Sequence, residues 1–254
     1  MQCVYELLLT FIMSPTLKNG TIQQYLTKSF TKSYLELFDS EDPRERDYLK
    51  TIMHRIYGRF LTLRTQIKEQ IMNLLLCIII DGENYNGLTE LLEILGSITS
   101  GLVVPLKAEH QEFFKRVLIP LHKIKTLPTF NTQLQLCVKN YLEKHSALAI
   151  DLIQGLLKFW PLTCPAKEVI FINEIEEVLD LMGNTAEGKF QEFGPGLLKR
   201  LLLTSQGLHY QAAERSLLLL NSDHLQKIVK ANMSKAYPII VKGLLVSSQH
   251  SHWN

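Results

Sequence analysis

Two superimposed periods constrain this 254-residue chain more than its composition does. Apolar residues return every three or four positions, as in Leu88, Leu91, Leu92, Leu95, Ile98 and again in Val169, Ile172, Ile175, Val178, Leu179. That is the stripe of an amphipathic helix. Helix-starting signals recur on a longer scale, near Pro43, Asn86, Phe130, Pro165 and His209, at steps of 43, 44, 35 and 44 residues. Each block has room for two helices, with internal breaks at Gly58 to Thr62, Pro105 and His145–Ser146. Asp42-Pro43 offers a cap followed by proline at the first helical position. A period of roughly 40 residues built from two helices is the HEAT/armadillo spacing. The expected fold class is therefore all-α: a HEAT-like α-α superhelix, a solenoid of helix pairs that bury their apolar faces on one another. It is expected to form a single domain over residues 1–254, with about six helix pairs. The chain opens on "CVYELLLTFIM" and stops at "SHWN" without the polar-faced repeats that cap such rods, so it looks like the middle of a longer one. The run "LLLCIII", Leu74 to Ile80, fits a fully buried helix, and the "GPG" at Gly194–Gly196 a turn or helix break.

The composition is that of a soluble globular protein, and a net charge of +2 argues against a general polyanion binder. The charge is concentrated, however. Between Arg44 and Lys68 seven Lys or Arg face only Glu45 and Asp47, a local +5. The four cysteines, Cys3, Cys77, Cys137 and Cys164, have no ligand spacing and sit in apolar contexts, so they are expected as buried free thiols in a reducing compartment. No signal peptide is visible and no apolar run spans a bilayer. An intracellular protein, cytoplasmic and/or nuclear, without membrane insertion, is expected. The chain has no HExxH, phosphate-loop, dinucleotide or nucleophile-elbow motif, so no enzyme, no catalytic residue, no cofactor and no metal site is expected. "EIEEVLD", Glu174 to Asp180, fits a solvated helix face, and His250 and His252 fit exposed positions.

The basic stretch "HRIYGRFLTLRTQIK", His54 to Lys68, admits three readings: a solvated face, a nucleic-acid patch, or a pocket for an acidic peptide. Nucleic acid is the poorest, because no aromatic residues interleave as a stacking platform. Helical spacing puts His54 and Tyr57 on one face, and Arg64 and Lys68 on one face of the following helix. The next repeat offers Ile94 and Ile98, then Lys107 and His110 at the start of its second helix. With adjacent repeats side by side, Tyr57, Ile94 and Ile98 would form an apolar seam between His54, Arg55 and Arg64 on one side and Lys107 and His110 on the other. Such a seam suits an extended peptide with apolar anchors and acidic or phosphorylated residues. The alternative is that Ile94 and Ile98 are core, Tyr57 is helix packing and the cations are a wet surface.

Several long collinear segments carry a resemblance: "LFDSEDPRERDYLKTIMHRIYGRF" (Leu37 to Phe60), "LLEILGSI" (Leu91 to Ile98), "PLKAEH" (Pro105 to His110), "VLIPLHKIK" (Val117 to Lys125), "KFWP" (Lys158 to Pro161), "KEVIFINEIEEVLD" (Lys167 to Asp180) and "QAAER" (Gln211 to Arg215). They closely resemble the B-prime regulatory subunits of protein phosphatase 2A, from about residue 4 to the end. The resemblance implies a central portion of a HEAT-like solenoid that lacks the family's terminal repeats. It further implies a non-catalytic subunit in signal transduction, with a scaffold subunit, a catalytic subunit and LxxIxE-motif proteins as partners. Carried across by position, the family's peptide pocket comprises His54, Arg55, Tyr57, Arg64, Lys68, Ile94, Ile98, Lys107 and His110. Tyr57 and Arg64 would line a leucine slot and Ile94 and Ile98 would receive the isoleucine. Lys107 and His110 would hold the glutamate, with His54 and Arg55 near an acidic or phosphorylated side chain. Lys68 stands where the family usually has arginine, keeping charge but losing bidentate geometry. The alternative function is a truncated helical-repeat scaffold or decoy that binds such peptides, or other proteins, without assembling a holoenzyme.

Overall fold

A computed structural model describes residues 2–16, 18–82 and 84–249. His250 and His252 lie outside the described residues. Among the described residues the regular structure is helical throughout, and the helices start and stop close to where the breakers demand. Long helices begin at Pro43, Leu88, Leu127, Pro165 and Tyr210. The chain gathers into two compact units, one comprising residues up to Val103 with Ile124–Cys137, the other Val104–Lys123 with the residues from Val138 on.

In the first unit, the Gln2–Met13 helix packs on Pro43–Arg59, which packs in turn on Leu88–Ser100, while Lys28–Glu36 packs on Arg64–Asp81. Two layers of helices result, each layer stacking equivalent helices of successive repeats. The Pro43–Arg59 helix shows why. Asp42 caps it by accepting from the Arg44 N–H at 2.9 Å, and Leu49, Ile52, Met53 and Ile56 form its buried stripe. The Arg64–Asp81 helix ends where Gly82 adopts φ 67°, the left-handed conformation that favours glycine.

The second unit repeats the layering. Leu148–Lys158 packs on Phe190–Ser205, which packs on Met233–Ser247; beside them Pro165–Met182 packs on Tyr210–Leu220. A polar signature confirms the long period inside each unit. Gln70 donates to the Lys28 carbonyl at 2.7 Å, Cys137 to the Leu92 carbonyl at 3.3 Å, and the Ser205 and Ser247 hydroxyls meet at 3.0 Å. These partners lie 42, 45 and 42 residues apart, one repeat each.

Four expectations are corrected. Leu74–Ile80 is helical but not fully buried: Leu75 and Ile78 face inward, whereas Ile80 is 78% exposed. Asn73, Cys77 and Ile80 are exposed along the helix, and isolated exposed apolar residues are tolerated. The thiols are not uniformly buried either, since Cys3 and Cys77 are exposed, Cys164 is intermediate and Cys137 alone is buried. Burial pushes the Cys137 thiol up to about 12, which leaves it protonated. Gly194–Gly196 is neither a turn nor a break, because Pro195 lies inside the Phe190–Ser205 helix. As the sixth residue of that helix Pro195 gives up one i→i−4 hydrogen bond, and the helix runs on through it. Finally, Glu174 is buried at the end of a pairing described below rather than solvated.

Candidate functional site

The corner between the Pro43–Arg59 and Arg64–Asp81 helices carries most of the candidate residues. The Pro43–Arg59 helix stops as Phe60 leaves helical geometry (φ −109°, ψ 86°), a single 3-10 turn covers Leu61–Leu63, and the next helix starts at Arg64. Arg64 therefore returns over the turn it has just left. Its Nε donates to the Tyr57 carbonyl at 3.0 Å and its guanidinium carbon lies 4.9 Å from the Tyr57 ring centroid. One side chain thus satisfies an end-of-helix carbonyl and makes a cation–π contact. Burial raises the Tyr57 phenol above its ordinary pKa, with Arg64 opposing, so the hydroxyl stays protonated at neutral pH.

His54, one turn earlier, is half-buried, and its Nε2 lies 3.2 Å from the Ser97 hydroxyl of the neighbouring Leu88–Ser100 helix. Burial, then the charge of Lys50, hold its pKa below the usual imidazole value, with Glu93 opposing and Arg55 adding to the depression. The imidazole is consequently neutral at pH 7. Arg55 is exposed and Lys68 half-buried, and neither has a side-chain partner among the described residues. Ile94 is fully buried, whereas Ile98 is 8% exposed.

The rest of the basic stretch has structural employment. Arg46 meets Glu90 at 2.9 Å, Lys50 meets Glu93 at 2.8 Å and Asp47 at 2.9 Å, and Arg44 meets Asp42 at 3.3 Å. Arg59 donates to the carbonyls of Ile12 and Ser14 and, at 2.8 Å, to the Asn19 side chain. Arg46–Glu90, Lys50–Glu93 and His54–Ser97 form successive rungs between two stacked helices. Sequence reading missed Ser97, Glu90 and Glu93 as partners; their separations of 43 or 44 residues carry the signal.

Two shallow depressions border His54 and Arg55. One, of about 320 Å³, is completed by Met13, Ser14, Pro15, Gly58 and Arg59; the other, of about 310 Å³, by Lys50 and Thr51. A larger depression of about 600 Å³, lined by Gln2, Asp42 to Glu45, Asp47 and Tyr48, holds none of the candidate residues and is of mixed charge. Lys107 and His110 belong to the second unit. Lys107 is exposed and immediately precedes the Ala108–Phe113 helix. His110 stands in its first turn, 15% exposed, with Nε2 3.5 Å from Glu109.

Among the described residues no group of three or more His, Cys, Asp or Glu is placed to hold a metal ion, and no helix is long and apolar enough to cross a membrane. Fold and site together define a class: an all-α helical-repeat protein presenting a cationic and aromatic surface at an inter-helix corner. Comparison narrows the class. Residues 1–254 match the family described as protein phosphatase 2A regulatory B subunit (B56 family), and the chain belongs to it. It is 47% identical over 253 residues to the human serine/threonine-protein phosphatase 2A 56 kDa regulatory subunit alpha isoform, covering 100% of this chain and 51% of the relative. It is 45% identical over 254 residues to the human delta isoform and 44% identical over 254 to the rabbit beta isoform, covering 100% of this chain and 42% and 50% of those relatives. The chain spans about half the length of the curated relatives it matches.

Proposed function

We propose that this chain is a non-catalytic regulatory subunit of protein phosphatase 2A that binds acidic or phosphorylated LxxIxE-type peptides and so directs the phosphatase to substrates in signal transduction, in the cytoplasm, the nucleus or both. The observation that carries the reading is the corner at Tyr57. Arg64 is pinned across the Tyr57 ring, while Arg55, two residues before Tyr57, is exposed and has no side-chain partner among the described residues. A held cation–aromatic pair supplies a preformed slot, and an unpaired guanidinium beside it awaits an acid. In this reading Tyr57 and Arg64 take the leucine and Ile98 contacts the isoleucine, with Ile94 packed beneath. Lys107 and His110 take the glutamate, His54 and Arg55 take the acidic or phosphorylated side chain, and Lys68 adds positive charge.

Calorimetry with an LxxIxE peptide tests it. Arg55→Ala with His110→Ala should weaken binding at least tenfold, and unaltered affinity would refute the pocket. Because the chain spans about half of its relatives, assembly is a separate question. A pull-down with purified scaffold and catalytic subunits decides it: capture of both supports a holoenzyme subunit. Peptide binding without capture would leave a decoy that competes for substrates.

A further inference from the structure

In the second unit three cations lie against two aromatic rings that are neighbours in sequence. The Lys123 and Lys158 ammonium nitrogens lie 5.3 and 5.7 Å from the Phe159 ring centroid, and the Arg200 guanidinium carbon lies 5.8 Å from that of Trp160. The three cations come from separate places: the turn after Ile119–Leu121, the last residue of Leu148–Lys158, and the body of Phe190–Ser205. None of their side chains has a carboxylate partner among the described residues. Lys115 and Arg215 in the same unit, by contrast, are paired with Asp151 and Glu176. Glu168 stands at the edge of the group, but its carboxylate accepts from the Trp160 indole N–H at 2.8 Å. Beneath it, buried Lys167 donates to the Lys123 carbonyl at 3.2 Å.

The ordinary explanation for such charges is a helix end or a solvated face. A helix C-terminus accounts for Lys158, but Arg200 sits well inside its helix. Lys123 and Lys158 share one ring, so their charges repel, and a bound anion relieves that repulsion. The identity of the anion follows from the rings. Trp160 is 7% exposed and Phe159 is half-buried under its two lysines, so neither is open for a base to stack on. Leu162, two residues beyond Trp160, is 70% exposed and offers an apolar foothold. The geometry points to a second docking surface, formed by Lys123, Lys158 and Arg200 over Phe159 and Trp160, for an acidic segment of a partner protein whose aliphatic side chain rests on Leu162.

This surface lies wholly within the second unit and does not depend on the peptide reading of residues 54–68. The test is a titration of the whole chain with a synthetic peptide of one leucine flanked by glutamates, followed by NMR at the Phe159 amide and the Trp160 indole. The expected result is saturable binding that weakens several-fold when salt rises from about 0.1 to about 1 M. Lys123→Glu with Arg200→Glu should lower affinity at least tenfold, while Arg55→Ala should leave the Trp160 shifts unchanged. A thermal melt of the double variant establishes that it is folded. Should the folded double variant bind as the parent does, the proposal falls. It falls equally if no saturable shift appears at Trp160, or if an RNA oligomer of matched charge binds there more tightly than the peptide.

Discussion

Arg64 makes two contacts at once that lysine cannot make together: a directed Nε–H bond to the Tyr57 carbonyl and a cation–π contact with the Tyr57 ring. Arg64→Lys keeps the charge and loses the forked geometry that joins them. The expected outcome is an LxxIxE-peptide affinity about tenfold lower, about 1.4 kcal/mol, with a melting temperature lower by only about 2–4 °C, because a half-buried cation–π pair contributes about 1 kcal/mol. Calorimetry and a thermal melt on the same sample separate the two. His54 makes a pH prediction. Its depressed pKa means the ring is charged only below the ordinary value of about 6.5. Affinity for an acidic peptide should therefore rise as pH falls through that depressed value, and His54→Ala should flatten the rise. Helical spacing alone brought Tyr57, His54 and Arg64 into consideration, since i, i+3 and i, i+4 neighbours share a face. The same spacing is silent on depth: Ile94 and Ile98 occupy one stripe, yet only Ile98 reaches the surface.

At the scale of the helix, the second unit is tied together by a pair that sequence spacing disguises. His122, at the end of Ile119–Leu121, is fully buried. Its Nδ1 lies 2.9 Å from the Ile119 carbonyl, and its Nε2 lies 3.1 Å from one oxygen of Glu174 and 3.2 Å from the other. The Ile119 carbonyl can only accept, so Nδ1 carries a hydrogen, and the Glu174 carboxylate favours a second one on Nε2. Burial, the largest influence, opposes the charged ring, but the Glu174 carboxylate and the backbone carbonyls of Ile119 and Leu118 outweigh it and raise the pKa. A histidine whose pKa is raised on folding stabilises fully below its unfolded value of about 6.5, and the contribution is lost as pH rises through the folded value. Urea titrations should accordingly show the parent chain losing stability as pH rises above about 6.5. Glu174→Ala leaves the burial of His122 without a carboxylate to offset it, so the His122 pKa should fall below about 6.5 and the pH dependence should invert, the variant losing about 3–5 kcal/mol relative to the parent at acid pH. Glu174 stands three residues after Phe171 and four before Val178, on the buried stripe of Pro165–Met182. A charged residue there reads as solvated until its partner 52 positions earlier is known. Gly87 is the other hidden constraint. A Cβ there would lie 2.7 Å from the Phe38 Cβ and 2.9 Å from the Phe38 carbonyl carbon, and backbone cannot step aside. Gly87→Ala should lower stability by about 1–3 kcal/mol, read by the same titrations.

At the scale of the whole molecule, the long period was legible because each repeat needs its own helix starts and breaks, and those are written locally in Asp, Pro and Gly. The use of the charges was not, because every rung joins residues one repeat apart. A net charge of +2 with a local +5 between Arg44 and Lys68 invites the expectation of a strongly cationic surface. Five of those seven cations, however, are already engaged: Arg44, Arg46 and Lys50 with carboxylates, Arg59 and Arg64 with carbonyls. Arg55 and Lys68 are left to meet an acidic ligand from this stretch. The salt dependence of peptide binding reports that number. With screening lengths falling from about 10 Å at 0.1 M to about 3 Å at 1 M, these two cations together with Lys107 of the proposed pocket predict an affinity loss of about tenfold across that range. The measurement is calorimetry with one LxxIxE peptide at fixed pH and increasing sodium chloride. A hundredfold loss would mean that Arg46 and Lys50 exchange Glu90 and Glu93 for the ligand, so that the rungs open on binding. In that event Glu93→Gln should tighten the peptide and weaken the stack of helices together, whereas with closed rungs it should weaken the stack and leave the peptide unaffected.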